Sequence, residues 1–411
     1  MPRQSQTGRL TRKNKPQPGR QSPPRVGPLA GRLADVPTLD VDDLIADKSI
    51  HIVVCCGSGG VGKTTTSGAV ALRAAERGRN VVVLTIDPAR RLAQSLGLTA
   101  LDNTPRPVAG VDTSLGGSLD AMMLDMKRTF DEVVESHATS AKAEQILDNP
   151  FYQALSSSFA GTQEYMAMEK LGQLHTEGLA AGRWDLIVVD TPPSRSALDF
   201  LDAPERLSSF LDGRLIKLLL APAKGPARLL STGILAVTNT LSKVLGGQML
   251  RDVQTFVAAF DTLFGGFRAR ADETYSVLKD PQTAFLVIAT PENDALREAA
   301  FFVERLAAER MPLAGLVLNR VTQSPAPGLT ARAADAAAER LDKVGITAAE
   351  HLTASLLRLH TGQLSRLEQE RGLRRRFAAA HPHVPTATIS ALATDVHDVA
   401  SLRRVGELLA A

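Results

Sequence analysis

Ile50–Thr66 reads IHIVVCCGSGGVGKTTT. Its first part, Ile50–Cys56, is an apolar run of strand length, and a run that does not alternate predicts a strand covered on both faces of a parallel sheet. Its second part, Gly57-Ser58-Gly59-Gly60-Val61-Gly62-Lys63-Thr64, matches GxxxxGK[ST] in full. Lys63–Arg77 then carries helix formers with small apolar residues at Ala69, Val70 and Ala74. Strand, glycine-rich loop and helix in that order are the context a phosphate loop requires. The glycines let backbone N–H groups wrap a β-phosphate, and the helix N-terminus adds its positive partial charge. Lys63 is placed to neutralise β- and γ-oxygens, and the Thr64 hydroxyl suits Mg²⁺. Thr65 offers a second hydroxyl toward an α-phosphate.

Outward from this loop, Asn80–Ile86 (NVVVLTI) reads as a second buried strand, with further strands expected at Asp120–Leu124, Asp185–Val189, Ala284–Ala289 and Gly315–Leu318. Helical stretches between them make right-handed crossovers, so the fold class is α/β, doubly wound, with a mostly parallel sheet covered by helices on both faces. Two carboxylates end strands beside the loop. Asp190 closes LIVVD, where a carboxylate holds Mg²⁺, and Asp87 follows VVVLTI, where one orients a water for in-line attack.

Residues of about 204–280 break the alternation: they are apolar and helical without a convincing strand, and read as an inserted helical subdomain. It fits a sheet cap or dimer interface, and also a hydrophobic client groove. Residues 325–381 are Ala/Arg/Glu-rich and helical, His381–Ser390 ends in a strand, and Asp398–Leu409 forms a closing helix.

Charge and composition bound the partners. Residues 1–34 carry eight of the 47 Lys and Arg and none of the 44 Asp and Glu, so the remainder, with 39 against 44, stands at −5 while the whole chain is at +3. The basic balance thus belongs to a Pro/Gly-rich tail, residues 1–40, that is expected to be disordered, with weak contact to an anionic surface as the sharper alternative. The body, 41–411, is expected to be one P-loop domain. Aromatics at 4% argue against a stacking platform for single-stranded nucleic acid. The only cysteines are adjacent, Cys55 and Cys56, which excludes a disulfide scaffold and a CxxC zinc or redox pair and points to a reducing, cytoplasmic setting.

GSGGVGKTTTS, IDPARRLAQSLG, GTQEYMAMEK, VVDTPPSRSALDFL and LVLNRV occur in the order found in deviant-Walker-A ATPases. From about residue 45 to 410 the chain resembles the family of arsenite-pump and tail-anchored-protein targeting ATPases, most closely its actinobacterial anion-transporting ATPase branch. The resemblance implies an ATP hydrolase with Mg²⁺, working as a dimer that closes around nucleotide. By position it makes Asp87 the switch I water-orienting carboxylate and Asp190 the switch II aspartate. Asn319 becomes the adenine-reading asparagine, whose amide both donates and accepts. Glu298 is assigned near the nucleotide and Pro385 to the adenine loop.

The departures matter as much. The deviant motif carries a lysine at the position of Ser58 that reaches across the dimer. A hydroxyl lacks that charge and reach, so neither site of a homodimer would receive the contact. A heterodimer with a lysine-bearing paralogue would complete one site. Arg90 and Arg195 are alternative cations. An arsenite site needs several converging thiolates, the zinc-bridging CxxC is absent, and residues 204–280 hold a single methionine, Met249. Three functions are therefore weighed: an ATPase handling a protein client or membrane partner, a low-turnover ATP-binding switch or scaffold, and a septum- or partition-type positioning ATPase. The helical insert favours the first over the third.

Overall fold

The computed structural model describes residues 37–87, 91–150, 152–153, 156, 162–192, 269–344 and 347–410. The basic tail, Arg90, Arg195 and most of the insert expected over about 204–280 lie outside them. The described end of that insert is a helix over 269–279.

Eight strands form one sheet: β1 (Ile52–Gly57), β2 (Asn80–Thr85), β3 (Arg106–Pro107), β4 (Ser118–Met123), β5 (Leu186–Asp190), β6 (Thr283–Ala289), β7 (Leu313–Val321) and β8 (Thr386–Ser390). Their order is β3-β4-β2-β5-β1-β6-β7-β8, and every pairing is parallel except β3 with β4. The six residues of β1 and the seven of β6 are buried throughout, the burial their unbroken apolar runs call for. From β1 the chain moves one way to β2 and β4, then returns the other way to β6, β7 and β8. Right-handed crossovers then put helix Lys63–Glu76 and helix Asn293–Ala308 on opposite faces. The fold is the doubly wound α/β architecture that the sequence predicts.

β3 has no counterpart in the sequence reading. It is two residues long, on the antiparallel edge, where Pro107 costs no ladder bond that a central strand would need. The expected helical block 325–381 begins later and in two pieces, Ala331–Val344 and Ala348–Ala380. Thr347 caps the second, its hydroxyl accepting from the Glu350 N–H while the Glu350 carboxylate accepts from the Thr347 N–H. Among the described residues no helix is long and apolar enough to cross a membrane.

Arg79 pins the entry edge of the sheet. It is 3% exposed, and its guanidinium donates to the carbonyls of Ile45 (3.1 Å), Asp47 (3.0 Å), Ile50 (2.8 Å) and Asp185 (2.7 Å), with the Asp185 carboxylate beside it. Arg79→Ala strands four carbonyls and a carboxylate, and is expected to cost about 3–5 kcal/mol of unfolding free energy in urea titration. A loss below about 1 kcal/mol would show that water replaces the guanidinium there.

Candidate nucleotide site

Parallel strands deliver their C-terminal ends to one edge, and open α/β sheets bind ligands there, where the strand order reverses. The edge here is arranged around β1. Register pairs Cys55 with Asp190 and Thr85 with Asp190, so the last residue of β5 sits between the ends of β1 and β2. The loop after β1 turns on glycines in left-handed conformation, Gly60 at φ 79° and Gly62 at φ 97°, and opens helix Lys63–Glu76.

Lys63 is 5% exposed and its Nζ donates to the carbonyls of Gly57 and Ser58, both at 2.9 Å. Burial lowers its pKa, while the charges of Asp190 and Asp87 work to raise it. Asp190 is fully buried; its Oδ2 accepts from the Thr85 hydroxyl at 2.9 Å and its Oδ1 has no partner. Burial pushes its carboxyl up to about 6, against the hydroxyls of Thr64 and Thr85 and the Lys63 charge. An orphaned carboxylate oxygen next to a threonine hydroxyl is the donor set a hard, oxygen-seeking cation such as Mg²⁺ takes, so the residues fit that ion. Asp87 is half-buried, its N–H donating to Thr85 Oγ1 at 3.3 Å.

A cavity of about 670 Å³ opens beside the loop, lined by Gly60, Gly62, Lys63, Thr64, Thr65 and Asp87 on one side. Asn319, from the end of β7, lines it too and braces the loop: its Nδ2 donates to the Val61 carbonyl at 2.8 Å, and its Oδ1 accepts from Arg320 N–H at 2.9 Å. That second bond accompanies a left-handed Arg320, at φ 59°, a conformation costly outside glycine. Gly62 is fixed from both directions. It has positive φ, and a Cβ there would stand 2.2 Å from Asn319 Nδ2. Gly62→Ala is expected to push Asn319 off the loop and weaken ATP binding at least about tenfold in equilibrium titration; unchanged affinity would remove the brace from the site's design.

Ser58 is half-exposed, contributes its carbonyl to Lys63, and is not among the residues lining the cavity; nor are Gly57, Gly59 and Val61, which shape the loop from behind. Glu298 lies within helix Asn293–Ala308, half-buried, and does not line the cavity. Pro385 does not line the cavity either. It precedes β8, in line with Gly315 of β7, and its carbonyl accepts from Leu316 N–H at 2.8 Å. It therefore stands four residues, about 13 Å of strand, short of the level of Asn319. The segment after β8, Ala391–His397, contributes to the cavity lining. Arg320 and Thr322, beside Asn319 at the end of β7, and Arg366, from helix Ala348–Ala380, also line the cavity and were missed, since nothing local marks them as facing it. Among the described residues no group of three or more His, Cys, Asp or Glu is arranged around a metal.

Residues 50–340 match the anion-transporting ATPase family. The chain is similar to a protein named ATPase ARSA2 of Chlamydomonas reinhardtii, 28% identical over 395 residues, which cover 92% of this chain and 98% of the relative. It is similar to the ATPase get3 of Schizosaccharomyces pombe, 24% identical over 292 residues, 69% of this chain and 78% of the relative. An arsenical pump-driving ATPase of Acidiphilium multivorum is 31% identical over 158 residues, 38% of this chain and 26% of that protein. The matched span runs from β1 through the phosphate loop to the helix after Asn319, taking in the whole cluster of Lys63, Asp87 and Asp190. The chain belongs to the anion-transporting ATPase family and is an ATPase.

Proposed function

We propose that this ATPase hydrolyses ATP to ADP and phosphate with Mg²⁺ and couples nucleotide-driven closure of a dimer to the handling of a protein client or membrane partner. The observation that carries the proposal is Asp190: a fully buried carboxylate with one oxygen unpartnered, at the end of the strand paired with β1, from which the phosphate loop springs. Thr64 and Asp190 would hold the ion, which when bound offsets charge building on the phosphoryl oxygens. Lys63 and the loop N–H groups bind the β- and γ-phosphates, and Asp87 orients the attacking water. Asn319, which lines the cavity beside the loop, reads adenine.

Metalloid pumping by this chain's own thiols finds no support. Cys55 and Cys56 are both buried; burial pushes the Cys56 thiol up to about 12 and Cys55 well above its usual range, so neither is a thiolate. Two free buried thiols accord with a cytoplasmic setting.

Ser58 favours a second reading. Without the family's lysine a homodimer lacks the contact in trans, which suits either a slow ATP-binding switch or a mixed dimer with a lysine-bearing paralogue, the arrangement that completes one site. The test is ATP hydrolysis by the purified chain, alone and mixed with that paralogue, with mass from size-exclusion chromatography. Stimulated turnover in a mixed dimer supports the client-handling machine. A homodimer that binds ATP without turning it over supports the switch, and a chain that binds no ATP overturns both.

A further inference from the structure

The long helix Ala348–Ala380 touches the cavity at a place the phosphate chemistry does not use. Glu370, from its second half, is buried, with 8% of its side chain exposed. Its Oε2 accepts from Thr322 N–H at 2.9 Å and its Oε1 from the Thr322 hydroxyl at 2.6 Å. One turn earlier Arg366 sets its Nε 3.4 Å from the same Oε1, while its side chain stays 69% exposed and lines the cavity. A buried carboxylate thus clasps the loop just beyond Asn319 and steadies a cation at the cavity wall.

Position tells which end of a nucleotide this wall faces. The phosphate loop follows β1, whereas Thr322 follows β7 and Ala391–His397 follows β8, two and three strands further along the sheet. At about 4.8 Å per strand that is about 10–14 Å, the separation between the terminal phosphates and the base of a nucleoside triphosphate. A planar guanidinium stacks on an aromatic base as an ammonium cannot. We propose that Arg366, oriented by Glu370, is a binding residue for the base-and-ribose end of ATP, a role that rests on reading this cavity as the ATP site.

The pair separates cleanly in substitution. A carboxylate only accepts, so it serves both Thr322 donors and attracts Arg366. In Glu370→Gln the amide oxygen still accepts the Thr322 N–H and the amide N–H can turn to the hydroxyl, so the clasp survives while the attraction for Arg366 is lost.

Arg366→Ala is expected to raise KM and Kd for ATP about fivefold or more, and Glu370→Gln about threefold, with kcat within about twofold of the parent in each. Arg366→Lys recovers less than half of the loss. Inorganic tripolyphosphate, which has no base, should bind parent and variants alike in calorimetry. Unchanged ATP affinity in Arg366→Ala, against a parent that binds ATP, overturns the inference alone. So does an equal loss for tripolyphosphate, which would make Arg366 a diffuse positive charge. A fall in kcat and melting temperature without a KM change would make the pair structural. A parent chain that binds no ATP overturns the site reading, and this inference with it.

Discussion

Asp87→Asn is expected to leave ATP bound within about twofold of the parent affinity and to lower turnover by about 10²–10⁴-fold, the range for losing a positioned base or water-orienting group. The argument starts from where β2 ends. Thr85 is the last strand residue, and its hydroxyl is shared between the Asp190 carboxylate and the Asp87 N–H, which fixes the backbone on which Asp87 projects. Asp87 lines the cavity, and its charge is felt at both Lys63 and Asp190, so the three groups form one electrostatic cluster. An asparagine keeps the size and one acceptor but not the charge that aligns a water for in-line attack. Lys63→Ala supplies the contrast, since it removes the cation from the phosphates and should weaken binding itself. Steady-state hydrolysis beside equilibrium ATP titration separates the two. Turnover unchanged in Asp87→Asn would remove Asp87 from the chemistry.

The parts of this site that were legible in the sequence are those where one short segment carries both the chemistry and its context. GSGGVGKTT is a strand end, a loop and a helix start in nine residues, and the structure builds all three from it. Asp87 and Asp190 were legible because strands of a parallel sheet deliver their last residues to one edge, so ending a buried apolar run is already a position in space. Pro385, assigned by resemblance alone, draws nothing from that rule, because the chain enters β8 only at Thr386. Thr322, Glu370 and Arg366 were not legible for a different reason. The Glu370–Thr322 bond joins residues 48 positions apart, and a glutamate in an Arg/Glu-rich helix looks like any solvated charge until the neighbouring loop is seen to cover it. Helix periodicity shows which face is turned inward but not what it meets. The π-helix Leu174–Leu179 is likewise unmarked locally: its Gly178 packs so close to Trp184 that a Cβ there would stand 2.4 Å from the ring.

Asp190→Asn carries the second large effect, and its two consequences run in opposite directions. Asp190 is buried at the centre of the sheet with one oxygen orphaned, and burial raises its carboxyl from 3.8 to about 6. A carboxyl whose folded pKa is raised gives stability that is fully present below its unfolded value and is lost as pH climbs through the folded one. Above pH 6, then, the nucleotide-free protein holds an ionised group it would be more stable without, at a cost of about 2–3 kcal/mol from a shift of about two units. Asparagine removes that cost, since its amide can keep an acceptor toward Thr85 while carrying no charge. The variant is expected to be more stable than the parent by about 2–3 kcal/mol at pH 7.5, with the difference closing as pH falls from 6 to below 4. The same change takes away the carboxylate suited to the metal, so hydrolysis should fall by at least about 10²-fold. Denaturant titrations at pH 4, 6 and 7.5, beside turnover with Mg²⁺, test both halves. A variant no more stable at pH 7.5 would mean that Lys63 already compensates the buried charge; a variant more stable and equally active would move the metal site away from β5. The expected pairing, stability gained where activity is lost, marks Asp190 as a residue kept at the sheet's centre for what binds beside it rather than for the fold.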